Sequence, residues 1–234
     1  MSTIYYDSIA FQLIGDSLEV ATKVSRLLNG KLQVIKNLPL YPSREDIKIY
    51  KALFKRNFPK SAIFIALVYH QLGQVISLTM YGNSKGVEIA FHGLQQYQKD
   101  RMELDDGAIQ RKAILIEFLE KWDDEVLIKR FDICQDFSID WKHYSNTSIH
   151  RILKKKHTKV EKIKRTTLYY QPKKYRYVKI TAYCKVTKNG LQYPLIRVEY
   201  SFLGQFWKNL KAIKTSIALY VAIENSQKFI KKLY

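Results

Sequence analysis

The sequence predicts an α+β protein, mainly an antiparallel sheet packed against helices. Three observations carry this. Strand-like runs rich in Ile, Val, Tyr and Phe recur from the first dozen residues to about residue 202. Segments with apolar residues at helical spacing stand between and after them. Hydrophobic residues make up 47% of the 234 positions, enough for a proper core.

The elements follow in order. "TIYYDSIAFQLI" reads as a strand. "SLEVATKVSRLLNG" reads as a helix, with Leu18, Ala21, Val24, Leu27 and Leu28 in phase and Gly30 as its stop. In "YPSREDIKIYKALF", Ser43 followed by Glu45 and Asp46 starts a second helix. "SAIFIALVYHQLGQVISLTMYG" gives two strands with a turn near Gly73, and "KGVEIAFHG" a third, so about 60–92 is an antiparallel meander. "AIQRKAILIEFLEKW" (108–122) is a helix with Ile109, Ala113, Ile116 and Leu119 on one face, and "VLIKRFDICQDFSI" is a strand. Residues 142–165 break the pattern. "TTLYYQP", "YRYVKITAYCKV" and "LQYPLIRVEYSF" supply three more strands. From Gln205 to Tyr234 the pattern is helical, with Ile217, Tyr220, Val221 and Phe229 in its apolar stripe. No linker interrupts the chain, so residues 1–234 are read as one domain with a C-terminal helical segment, 205–234.

Charge points to a polyanion. The formal net charge is +19, and it is unevenly placed: residues 1–120 carry 15 basic and 12 acidic groups, residues 121–234 carry 25 and 9. A localised basic surface suits nucleic acid first and an anionic membrane surface second. Its densest part is 142–165, with nine Lys or Arg against one Glu. Arg151, Lys154, Lys155, Lys156, Lys159, Lys162, Lys164 and Arg165 are the candidate DNA-binding residues, and a solvated helix is the plainer reading. Two cysteines imply no disulfide framework, and five histidines show no zinc-ligand spacing. No leader precedes the first strand, and no apolar run approaches the ~18 residues of a membrane span. A cytoplasmic protein is expected.

"RFDICQDFSID" places acids inside this basic half. By strand alternation Arg130, Asp132, Cys134 and Asp136 share one face, while Phe131, Ile133 and Phe137 face the core. Asp132 and Asp136 would stand about 13 Å apart, too far to share one ion in a flat strand. In "LIRVEYSF", Arg197 and Glu199 share a face, so Asp132 and Glu199 on adjacent strands make a two-carboxylate site. Two readings stand. One is a cross-strand ion-pair ladder of Arg130, Asp132, Arg197 and Glu199. The other is a seat for Mg²⁺ or Mn²⁺, hard ions that take oxygen ligands and suit phosphate chemistry. In "YRYVKITAYCKV", Lys179, Thr181, Tyr183 and Lys185 share the polar face. Flanking cations favour a phenolate, and a phenolate can attack phosphorus. A packed sheet tyrosine is the plainer reading.

Taken as a set, "FDICQDF", "TTLYYQP", "KITAYCK" and "PLIRVEYSF" resemble the rolling-circle plasmid replication initiators of the Rep_trans, or replication initiation factor, family, which is related to conjugative nicking proteins. Arg130, Asp132 and Asp136 match its R-x-D-x-x-x-D, Thr167 and Tyr169 its T-x-Y, Tyr183 and Lys185 its Y-x-K, and Arg197 and Glu199 its R-x-E. "VEIAFHG" resembles its earlier strand ending in glycine. The resemblance covers about 60–205. It implies a replication-initiator-like fold and sequence-specific nicking that leaves a 5′-phosphotyrosine and a free 3′-hydroxyl. It further implies Tyr183 as nucleophile, with Tyr169 and Tyr170 as rivals, Lys185 on the scissile phosphate and Arg197 beside them in the catalytic set. Asp132, Glu199 and Asp136 would be the ligands of Mg²⁺ or Mn²⁺. The implied partner is an origin hairpin or single-stranded nick site, with a helicase and a second copy as further candidates. Two departures stand out: Cys184 where the family has Asp or Asn, and "QPKKYR" where it has a glycine- and serine-rich turn. A non-catalytic DNA-binding regulator, a conjugative relaxase and an RNA-binding sheet are the competing functions.

Overall fold

The computed structural model describes residues 3–37, 43–54, 59–82, 85–172 and 177–233; of 53, 54, 156–164, 171, 172 and 233 it describes the backbone alone. In chain order the elements are β1 (Ile4–Leu13), α1 (Ser17–Leu27), β2 (Lys31–Lys36), α2 (Arg44–Phe54), β3 (Ala62–Tyr69), β4 (Val75–Tyr81), β5 (Val87–His92), α3 (Asp106–Lys121) and β6 (Glu125–Phe137). There follow a 3-10 turn (Trp141–Asn146), α4 (Ser148–Lys156), β7 (His157–Lys164), β8 (Thr167–Pro172), β9 (Val178–Cys184), α5 (Lys185–Asn189), β10 (Ile196–Leu203), α6 (Gly204–Trp207), β11 (Ile213–Lys214) and α7 (Thr215–Leu233).

Ten strands form one continuous antiparallel sheet in the order β2-β3-β4-β5-β1-β6-β10-β9-β8-β7, and β11 adds to an end of β6. The first strand of the chain thus lies mid-sheet, between β5 and β6. One face is apolar, from Phe11 and Phe91 through Phe131 and Ile133 to Val198, Phe202 and Ile180, and α1, α3 and α7 add Val24, Phe118, Ala218 and Ala222 to the same core. On the opposite face, Tyr50 of α2 packs on Ile35, Ile65 and Leu67 at the β2–β3 end. The rest of that face carries the polar residues described below.

Local chemistry fixes the helix starts. Asp16 accepts from the backbone of Leu18 and Glu19, and Asp105 from Ala108, satisfying amides that have no partner in the first turn. Ser43 and Asp46 form a reciprocal cap for α2.

Two helical faces differ from the sequence reading. In α3 the buried side is Ala108, Ile114, Leu115, Phe118 and Leu119, while Ile109 and Ile116 point to solvent. In α7 a seam of Ala218, Ala222, Ser226 and Ile230 is buried, and Ile217 and Tyr220 are 49% and 68% exposed. Small residues at four-residue spacing let the helix approach closely, and large apolar residues misled the count of the stripe. The region 142–165, read as an interruption, contains the turn, α4 and β7. Among the described residues, no helix is long and apolar enough to cross a membrane.

Candidate active site

The polar face gathers the acids. Across β6 and β10 the register sets Asp136 opposite Arg197, Cys134 opposite Glu199 and Asp132 opposite Ser201. Across β10 and β9 it sets Arg197 opposite Tyr183, Glu199 opposite Thr181 and Ser201 opposite Lys179. Facing residues on neighbouring antiparallel strands point the same way. Asp132, Asp136, Arg197, Glu199 and Tyr183 therefore stand on one face, as alternation predicted.

A fourth acid joins them from β1. The pairing of β1 with β6 shifts register between Tyr6 and Ser8. Such a bulge re-aims a side chain, and here Asp7 accepts from Arg197 Nη1 at 3.0 Å. The chain leaving β5 turns at Gly93, whose φ of +69° is the left-handed conformation glycine adopts without penalty. That turn brings residues 94–98 back over the site. The backbone N–H of Gln95 donates to Asp7, its carbonyl accepts from Arg197 Nη2 at 2.7 Å, and the Tyr97 hydroxyl donates to Asp136 at 2.7 Å. Tyr97 also packs with Leu191 and Leu195 at the rim.

Arg197 holds this end together. Its side chain is 0% exposed, and its Nε and Nη2 donate to the two oxygens of Asp136 at 2.8 and 2.7 Å. Through these bonds it positions Asp136, Asp7 and the Gln95 carbonyl. Asp136 is equally committed, with both oxygens taken by Arg197 and Tyr97. Four residues back along β6 from Asp136, Asp132 forms a two-pronged pair with Arg130, Nε to Oδ1 at 2.9 Å and Nη2 to Oδ2 at 2.7 Å.

Glu199 lies between these pairs and meets Tyr183. The Tyr183 hydroxyl donates to Glu199 Oε2 at 3.0 Å, and Ser201 approaches Oε1 at 3.5 Å. Burial first, and then the Asp132 carboxylate, raise Glu199 above the ordinary glutamate range. Burial also raises Asp132, against the pull of Arg130. The ion-pair reading of the acids is met in part: Arg130 pairs with Asp132 but within β6, Arg197 pairs across the strands with Asp136 and not with Glu199, and Glu199 meets a phenol.

The phenol is not the one expected in charge. Burial raises Tyr183 well above its usual value and Glu199 raises it further, so it is a protonated donor at neutral pH and not a phenolate favoured by lysines. β9 ends at Cys184, so Lys185 is not the next same-face strand residue after Tyr183, although it reaches the same cluster beside Arg197, Asp7 and Asp136. Lys185 opens α5, is 1% exposed and donates to Gln96 Oε1 at 2.9 Å. Burial, then Arg197, lowers its pKa to about 8.

The rival tyrosines separate cleanly. Tyr170 lies in the core on the apolar face, with its hydroxyl 2.6 Å from His150 Nδ1 and 3.1 Å from that of Tyr144. Tyr169 is opposite Thr181 and so shares the polar face, one strand further from Glu199 than Tyr183.

A divalent ion has a partial fit. Asp132 and Glu199 are two hard oxygen donors on neighbouring strands, and each is disfavoured as an anion where it stands, which a cation would relieve. Asp136 fits less well as a third: Arg197, which holds both its oxygens, is fully buried, whereas Arg130, which holds both oxygens of Asp132, is 39% exposed and can swing into solvent. Among the described residues no three His, Cys, Asp or Glu side chains converge on a common point for a metal.

The predicted DNA contacts lie around α4. Ile149 and Leu153 anchor this helix in the core, and Arg151, Lys154 and Lys155 face outward, with Arg165 exposed nearby. The side chains of Lys156, Lys159, Lys162 and Lys164 lie outside the described residues, as does most of "QPKKYR". Asp7, Gln96 and Tyr97 were missed by the sequence reading. Asp7 had a signal, an acid inside the apolar run "YYDSIAF". Gln96 and Tyr97 had none, since a loop brings them in.

No family model matches the chain, and no curated protein matches it. Among solved structures its fold is similar to that of a rolling circle replication initiator protein from Geobacillus stearothermophilus, with a TM-score of 0.52 over 96% of this chain and 80% of that one at 11% identity. The sheet-and-helix architecture thus agrees with the initiator-like fold expected from the sequence.

Proposed function

We propose that the chain is a DNA strand-nicking and rejoining enzyme that initiates rolling-circle replication, with Tyr183 as its nucleophile. The observation that carries this is the hydrogen bond from the Tyr183 hydroxyl to Glu199 on the polar face. A phenol held protonated by burial needs an acceptor for its proton in order to attack, and Glu199 Oε2 stands at hydrogen-bond distance. As the Tyr183 oxygen bonds to phosphorus, its proton passes to Glu199 and the bond from phosphorus to the 3′ oxygen breaks. The products are a 5′-phosphotyrosine and a 3′ oxygen that takes a proton to become the priming hydroxyl. The reverse path rejoins the strand, because the phosphoester energy is retained.

Arg197, Asp136, Asp7 and Tyr97 brace β10, which carries Glu199, against β6 and β1, and Arg130 steadies Asp132. Asp132 and Glu199 would hold Mg²⁺ or Mn²⁺, which would supply positive charge for the phosphate oxygens. The outward basic side chains of α4 would bind the flanking DNA backbone. The likeness of the fold to a replication initiator supports the same reading.

The test is trapping of a covalent adduct. The protein is incubated with Mn²⁺ and end-labelled single-stranded oligonucleotides tiling the DNA around its gene. One fragment is expected to become attached through Tyr183, and Tyr183→Phe is expected to bind the DNA equally and form no adduct. An adduct mapped to Tyr169 would replace the nucleophile, and none on any oligonucleotide would favour a DNA-binding regulator.

A further inference from the structure

Lys185, the lysine that the resemblance places on the scissile phosphate, faces inward. Its ammonium is tied to Gln96 Oε1, which also accepts from Asn189 Nδ2 at 3.2 Å, and its backbone N–H is held by the Leu195 carbonyl. Three residues further along α5, Lys188 is exposed, and its Nζ lies 3.8 Å from the centroid of the Tyr183 ring. Tyr183 itself is only 4% exposed. A substrate phosphate approaching its hydroxyl from solvent therefore meets the Lys188 ammonium at the same ring.

We propose that Lys188 is the phosphate-binding cation of this site. It caps the Tyr183 ring in the free protein and moves onto the non-bridging oxygens of the phosphodiester when DNA enters. The proposal rests on Tyr183 being the nucleophile.

The physical argument has three parts. An ammonium over a phenol ring is held by the negative face of the π-system, a modest attraction where the cation is exposed. A doubly anchored phosphate oxygen offers a stronger, charge-assisted partner, so the lysine transfers readily. A cation at the attacked phosphorus offsets the charge that builds as the Tyr183–phosphorus bond forms and the 3′ oxygen departs. A four-carbon stem on a five-residue helix supplies the reach for this movement without displacing the anchored Lys185.

The experiment compares the full chain with Lys188→Gln and Lys188→Arg in two assays. The first is the rate of adduct formation on an oligonucleotide the wild type cleaves, with binding followed by fluorescence anisotropy. The second is acetylation of Tyr183 by N-acetylimidazole without DNA, read by mass spectrometry of its peptide. Lys188→Gln is expected to slow adduct formation at least tenfold at saturating DNA and to speed Tyr183 acetylation several-fold. Lys188→Arg is expected to restore most of the adduct rate. An unchanged adduct rate in Lys188→Gln overturns the phosphate role, and unchanged acetylation overturns the capping. If the wild type forms no adduct, the nucleophile assignment fails, and this inference fails with it for that separate reason.

Discussion

Arg197 and Asp136 face each other across β10 and β6, joined by two hydrogen bonds of 2.8 and 2.7 Å, with neither side chain reaching solvent. Removing one partner from such a pair leaves an uncompensated buried charge, which costs about 3–5 kcal/mol. Arg197→Ala and Asp136→Ala are each expected to lower the unfolding free energy, measured by denaturant titration, by that amount. Arg197→Lys keeps the charge and loses the planar fork that reaches Asp136, Asp7 and the Gln95 carbonyl together, so it is expected to fall between. A loss below about 1 kcal/mol in Arg197→Ala would show that the pair does not hold the site.

Glu199 carries a trade between activity and stability. Its pKa is raised above the ordinary 4.5 by burial and by Asp132. The folded state then holds a proton that the unfolded chain has released, so stability falls as pH rises from about 4.5 through the folded value. Glu199→Gln keeps a hydrogen-bond acceptor for Tyr183 but has no charge and cannot take its proton. At pH 7 it is expected to be more stable by about 1 kcal/mol, a rise of ~2–4 °C in melting temperature for a chain of this size. The gain is expected to vanish near pH 4, and adduct formation is expected to fall at least a hundredfold. Scanning calorimetry at the two pH values checks the first part, and equal activity with the wild type would remove Glu199 as proton acceptor.

The strands that build this site were legible because alternation is local. "RFDICQDF" and "LIRVEYSF" each separate charged from apolar residues with period two, and the register of β6 with β10 preserved that division. Tyr183 was legible for the same reason. What failed depended on distance in the chain. Lys185 was extrapolated along β9 past the point where the strand gives way to α5, a change caused by the turn at 185–190 and not by side-chain pattern. Asp7 needed a bulge, and Gln95, Gln96 and Tyr97 needed a loop returning over the sheet. The central place of β1 could not be read from order, since sequential neighbours pair in the meander but β1 pairs with β5 and β6. Ile109, Ile116, Ile217 and Tyr220 showed that apolar size is a poor guide to a helix face when small residues make the closer contact.

The two-carboxylate seat makes a measurable distinction among the acids. Isothermal calorimetry with Mn²⁺ is expected to show one weak site. Asp132→Asn and Glu199→Gln are each expected to weaken it at least tenfold. Asp136→Asn, with its oxygens engaged by Arg197 and Tyr97, is expected to lower stability and leave Mn²⁺ affinity within about twofold. Loss of binding in Asp136→Asn, with a folded protein by circular dichroism, would return Asp136 to the ligand set.

The basic half of the chain sets the last expectation. Ile149 and Leu153 pin α4 to the core, which fixes Arg151, Lys154 and Lys155 on its outward side. A helix already pinned to the core loses little backbone freedom when it meets a phosphate backbone, so these positions are expected to make true contacts. Each phosphate neutralised releases condensed counterions and adds about 0.7–0.9 to the slope of log K against log salt. Replacing all three by Gln is expected to flatten the slope by about 2 and to weaken binding to any sequence to a similar degree, because a backbone contact carries no base information. Adduct formation at saturating DNA is expected to persist, since Tyr183 and Glu199 are untouched. Anisotropy titrations from low to physiological salt on matched specific and random oligonucleotides check this. An unaltered slope would move the duplex contact away from α4, and a selective loss on the specific sequence would make these side chains readers of bases.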